Sequence, residues 1–200
     1  MSGVNASFGV NVALTYDVTI PTGANVLMNQ PTVVVQSLFV ESGASLVGNG
    51  GFTVRNELTN QGTLTDLGGT IQGNFSNGGP YAEITGPLAI GGSFMNLGTA
   101  AIDSGGSITV AQPFTNNGTI LQYGGSINAP GAITNNVSYQ LFGGQISNFD
   151  NSVTGVLSIV SNSTNPVAIS GGTLNNSGAI NWSGGAVDVW NSAVINNVKS

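Results

Sequence analysis

The stretch FTNNGTILQYGGSI (114–127) is preceded by FMNLGTAAIDSGGSI (94–108) and followed by ITNNVSYQLFGGQI (133–146), three versions of one pattern. Self-similarity at a short fixed period confines a chain to repeat architectures, so the period constrains the fold more than composition does. The alignment key is an apolar residue followed two positions later by asparagine. Leu58/Asn60, Phe75/Asn77, Phe94/Asn96, Phe114/Asn116, Ile133/Asn135 and Phe149/Asn151 fall in series; Leu174 precedes Asn175 less regularly, and Val189/Asn191 closes the set. From Asn60 to Asn151 the asparagines lie 17, 19, 20, 19 and 16 apart, and Gly105, Gly124 and Gly143 are spaced by 19.

Within each unit apolar residues alternate over short runs such as SITVAQPF (107–114), and Gly-Gly or Asn-Asn divides the runs. Period-two alternation with frequent turn residues reads as short strands, and no stretch carries capped helical spacing. A unit near 19 residues is too short for a propeller blade and suits one coil of a β-solenoid. The expected fold is therefore all-β: a single-stranded parallel β-solenoid, right-handed as parallel crossovers are. Roughly ten coils make a rod on the order of 50 Å long. One domain spans 1–200, with variant coils over 1–50 and regular Asn- and Gly-rich coils over 51–198. Residues one period apart then sit above one another, so Phe75, Phe94 and Phe114 should form an inward aromatic stack. Asn60, Asn77, Asn96, Asn116 and Asn135 should form an amide ladder, each side chain bonded to the next, with glycines at corners that need positive φ.

Only 5% of the residues are charged, and the net charge of −6 includes just two basic side chains. Phosphate neutralisation needs clustered Lys and Arg, so nucleic acid is not an expected partner, nor is an anionic lipid surface. With 40% hydrophobic residues the chain has the means to fold, and its solubility rests on Asn, Ser and Thr. Cysteine is absent, which removes disulfides and thiolate metal sites. No apolar run approaches the ~18 residues of a membrane span. The opening MSGVNASFGVNVAL has no basic n-region, so it does not read as a signal peptide; an exported chain would carry its leader elsewhere.

The first coils read V-x-I-P-x-G-x-x-V, then S-L-x-V-x-x-G-A-x-L, then L-x-N-x-G-T. Val18, Ile20, Pro21, Gly23, Val26, Ser37, Leu38, Val40, Gly43, Ala44, Leu46, Leu58, Asn60, Gly62 and Thr63 carry the pattern. This resembles the strand repeats of bacterial surface solenoids, the autotransporter passengers and the filamentous haemagglutinin-like adhesins. The resemblance implies an extracellular or cell-surface location and a mechanical role, with a host surface or a glycan as partner.

Two groups of residues carry possible chemistry. Asp66, Glu83 and Asp103 each follow a ladder asparagine by six or seven positions. Stacked carboxylates could serve as acid and base of a glycoside hydrolase or hold Ca²⁺; the plainer reading is surface charge that blocks lateral sheet pairing. Tyr123 and Phe142, with Trp182 near the equivalent place, could stack on sugar rings or cover a corner of the core. The expectation is no catalytic residue and no cofactor.

The ends point to a partner. The last coil, AVDVWNSAVINNV (186–198), alternates like an interior coil, and so does the first, SFGVNVALTYDVTI (7–20). Open strand edges there would pair one copy with the next, with Val187, Val189, Trp190, Val194 and Ile195 at the interface. Such a contact is head-to-tail and does not close, so it builds a filament. The expected function is a non-enzymatic rigid rod, a surface fibre or an adhesin stalk. The alternatives are a carbohydrate-binding or polysaccharide-cleaving β-helix, and a phage fibre segment.

Overall fold

The computed structural model describes residues 16–28, 30, 33–48, 51–162 and 164–198. They form a parallel β-solenoid with no helix among the described residues. Each coil has three faces. The first face is a ladder of ten strands, running from Asp17–Ile20 through Ser37–Val40 and Phe94–Asn96 to Val194–Asn197. The second and third faces join into one sheet, because Thr63–Ile71 and Tyr81–Ile90 each run continuously across both. Residues 7–15 of the expected first coil lie outside the described residues.

Alternation places one residue in two inside, and stacking turns each inward position into a column. On the first face one column runs Val18, Leu38, Leu58, Phe75, Phe94, Phe114, Ile133, Phe149, Leu174, Ile195. Phe75 and Phe94 stack at 4.7 Å with 3° between ring planes, and Phe94 and Phe114 at 4.5 Å with 24°. All three are buried. The near-parallel rings follow from the strand spacing of ~4.8 Å, which sets the ring separation directly.

Three features differ from the sequence reading. Alternation alone reads TVVVQSLFV (32–40) and FTVRNELT (52–59) as one strand each, but Val33–Val35 and Ser37–Val40 lie on different faces with Gln36 at the corner, and Phe52–Val54 and Glu57–Asn60 divide likewise at Arg55 and Asn56. After Asn151 the register is Leu174 on Phe149 and Asn176 on Asn151, so the asparagine two positions on, not Asn175, keeps the pattern. The series closes at Ile195/Asn197 rather than Val189/Asn191, since Val189 stacks on Ile169 in the third face.

Candidate functional site

The asparagine column is the most regular feature of the interior. Asn60 donates to Asn77 Oδ1 at 2.7 Å, Asn77 to Asn96 at 2.7 Å, Asn96 to Asn116 at 2.8 Å and Asn116 to Asn135 at 2.7 Å. The series continues from Asn135 to Asn151 at 2.8 Å, Asn151 to Asn176 at 2.7 Å and Asn176 to Asn197 at 2.8 Å. Every Nδ2 donates toward the C-terminal end, so the ladder is polar. It survives coil lengths from 16 to 25 residues, the longest taking four residues at the corner after Asn151 and further ones between Ser161 and Val167. The second amide hydrogen reaches a carbonyl of the next coil, as in Asn77 to Thr99 O at 3.0 Å and Asn116 to Ser138 O at 2.8 Å. A buried amide is tolerated only when bonded in this way.

The glycine two residues after Asn96 and after Asn116 has a different reason from the expected one. Gly98 and Gly118 are not among the positive-φ residues. A Cβ on Gly98 would lie 1.9 Å from Gly79 O, and one on Gly118 2.2 Å from Gly98 O. At these two corners the backbones of adjacent coils approach too closely for a side chain. The two earlier coils carry Ile20 and Val40 in the same column and turn through longer corners closed by backbone bonds, Ala24 N to Pro21 O at 2.9 Å and Ala44 N to Glu41 O at 3.0 Å. The ladder does not require the tight corner: Val137 stands in the equivalent place after Asn135, and Asn151 is followed by a four-residue corner closed by Gly155 N to Ser152 O at 2.9 Å.

A second buried polar pair was not foreseen. Tyr139, fully buried, donates its hydroxyl to Gln122 Oε1, and Gln122 Nε2 donates to Gln145 O at 3.1 Å. Burial pushes the Tyr139 phenol upward, keeping it a neutral donor. The signal lay in the alternation of SYQL, which turns Tyr139 inward. Tyr139→Phe should leave Gln122 Oε1 without its donor and cost about 1–3 kcal/mol, read as a lowered denaturation midpoint.

The three carboxylates do not share a column. Ala82 pairs with Leu64 and Ile84 with Leu67, so Thr65 and Asp66 together oppose Glu83 in a bulge with Asp66 at φ 54°. Glu83 pairs with Ala101, and Asp103 lies two residues further on, just past the end of that strand at Ile102. The expected stack fails because one extra residue re-aims Asp66 and because Asp103 lies two positions beyond the residue that pairs with Glu83. Among the described residues no three His, Cys, Asp or Glu side chains gather to hold a metal ion. Tyr81 donates to Glu83 Oε1 at 3.3 Å; partial burial, then the charges of Glu83 and Asp103, push its phenol up to about 12.

Tyr123 and Phe142 stack on each other at 5.1 Å with 11° between planes. Each ring thus covers one face of its neighbour. Trp182 does not continue this pair. It stands over Ile159 in an inward column, and Ser183 takes the place above Val160.

The last coil leaves the core columns uncovered. Ile195 is 48% exposed where Leu174 beneath it is 1%, Val189 50% over Ile169 at 3%, and Trp182 59% over Ile159 at 3%. Val187, over buried Val167, belongs to the same surface. Trp190 and Val194 instead stand over half-buried Ser170 and Thr173 and face outward. Val194 and Val198 donate their amides to Gly172 O and Asn176 O of the coil beneath, at 3.0 and 2.8 Å. Alternate residues of a parallel strand bond to opposite neighbours, so Ile195 and Asn197 aim their backbone groups away from the body. The surface is an apolar core section edged by strand hydrogen-bonding groups and the Asn197 amide. No family model, curated protein or solved structure matches this chain.

Proposed function

We propose that this chain is a non-enzymatic extracellular rod, a surface fibre segment or adhesin stalk that lengthens by stacking copies head to tail. The observation that carries this reading is the course of the columns. They run unbroken through the described coils and reach the last one uncovered, with strand edges free to accept another coil. The resemblance of the first coils to bacterial surface repeats, and a surface kept soluble by amides and hydroxyls with few charges, support the location.

On the first face, a second copy would set Val18 against Ile195 and Ile20 against Asn197. Every internal boundary from Asn60 onward gives the amide an acceptor, and Ile20 gives none. That mismatch costs about 1–3 kcal/mol, so the junction is weaker than an internal coil boundary and assembly depends on concentration.

Replacing Val194 with lysine and Ile195 with proline tests the reading. Proline lacks an amide hydrogen, and the Ile195 amide points away from the body, so the fold keeps its bonds while the edge loses a donor and gains a charge. The double variant should stay monomeric by light scattering at concentrations where the parent forms polymers, with an unchanged circular dichroism spectrum. Equal polymerisation of the two proteins would refute end-on stacking through this edge.

A further inference from the structure

The chain's only arginine sits in a recess. Ser37, Glu57 and Asn74 succeed one another at the start of the first face, and Arg55, Asn56 and Gly73 form the adjoining corner. Together they line a recess of about 420 Å³ spanning three coils. It lies where the coil from Leu58 to Phe75 shortens to 17 residues from the 20 between Leu38 and Leu58. Part of its wall is bare backbone: a Cβ on Gly73 would lie 1.4 Å from Asn56 O, so no side chain can fill the space from that position.

The chemistry of the lining is selective. Arg55 is half-buried, and its guanidinium makes no hydrogen bond or ion pair with any described residue, although Glu57 lines the same recess. Asn74 Oδ1 already accepts from Ser93 N at 2.9 Å and Ser93 Oγ at 3.1 Å, which turns its Nδ2 into the group left to donate. The recess thus offers a planar cationic fork, an amide donor, a serine hydroxyl and a carboxylate acceptor, with no apolar side chain among its lining residues.

We propose that this recess binds the carboxylate of an acidic sugar, a uronate unit of a polysaccharide. A carboxylate matches the Arg55 fork in a bidentate pair, and ring hydroxyls beside it would donate to Glu57 and accept from Asn74 and Ser37. A neutral sugar leaves Arg55 unpaired, and an isolated sulfate offers Glu57 no donor and meets its negative charge. The absence of an apolar wall turns away hydrophobic ligands. The openness of the corner suits one unit of a long chain lying across the coils. The site is independent of end-on assembly, since it lies on the side of the rod.

The test is a titration of the full chain, followed by amide NMR shifts, with trigalacturonate, the neutral galactotriose and inorganic sulfate. Trigalacturonate should bind with a dissociation constant on the order of 1 mM, with shifts centred on Ser37, Arg55, Asn56, Glu57, Gly73 and Asn74. Arg55→Gln should weaken it by at least about tenfold, and Arg55→Lys should weaken it less. Both substitutions alter a half-exposed corner side chain, and unchanged spectra elsewhere verify the fold. Glu57→Gln should let sulfate bind more tightly. Absence of trigalacturonate shifts at 10-fold above that constant, equal binding of the neutral sugar, sulfate binding as tight as uronate, or indifference to Arg55→Gln would each overturn the assignment.

Discussion

Phe94→Ala is expected to remove about 3–5 kcal/mol of folding stability. Phe94 is buried and stacked on both faces, 4.7 Å from Phe75 and 4.5 Å from Phe114. Truncation opens a void bounded by two rings that the strand spacing holds apart, so the gap closes poorly. The adjacent Met95, 44% exposed on the outer surface, supplies the control: Met95→Ala should change stability by less than about 0.5 kcal/mol. Because each coil touches only its neighbours, weakening one boundary should also broaden denaturant unfolding or split it into two steps. Equal midpoints for the two variants would mean that the Phe column is not a core.

Asn96→Asp should be as damaging at neutral pH and nearly harmless in acid. Asn96 donates to Asn116 Oδ1 at 2.8 Å, Gly98 O at 3.1 Å and Thr119 O at 3.0 Å, and it is fully buried. An ionised carboxylate there would face three oxygens with no donor of its own, a cost of about 3–5 kcal/mol for an uncompensated buried charge. Burial raises the carboxyl pKa in the folded state. The penalty is therefore absent below the unfolded value of about 4 and grows as pH rises toward the folded one. Below that range the protonated acid restores one donor. Asn96→Leu should instead cost about 1–3 kcal/mol at every pH, from the neighbouring amides left unpaired. Denaturation at pH 4 and pH 7 separates the two variants; an aspartate variant that matches the parent at pH 7 would place position 96 in water.

Much of the core was legible because a solenoid stacks like on like. Phenylalanine at 75, 94 and 114, each followed two residues later by asparagine, discloses both the period and the inward side. The signal failed where chain length changed. Between Asn151 and Asn176 the coil takes 25 residues, and the adjacent Asn175 and Asn176 offer two registers that only the backbone pairing separates. Corners without glycine were invisible too: Gln36, and Arg55 with Asn56, turn the chain between faces inside what reads as continuous strand. The carboxylate stack failed because the bulge at Asp66 has no mark in residue type. The glycines are legible as corners, and positive φ accounts for Gly23, Gly43, Gly125 and Gly144, whereas at Gly98 and Gly118 the cause is the approach of neighbouring backbones, which only three dimensions disclose.

The last coil was suspected from its interior-like alternation, and the structure refines which residues matter. Ile180, Trp182, Val189, Ile195 and Asn197 continue inward columns, whereas Trp190 and Val194 face outward. Electron microscopy of the concentrated full chain tests end-on stacking most directly. Filaments one rod wide, with strands perpendicular to the axis and an axial repeat of ~4.8 Å, are the expected result. Single short rods at every concentration, or lateral sheets of rods, would contradict it.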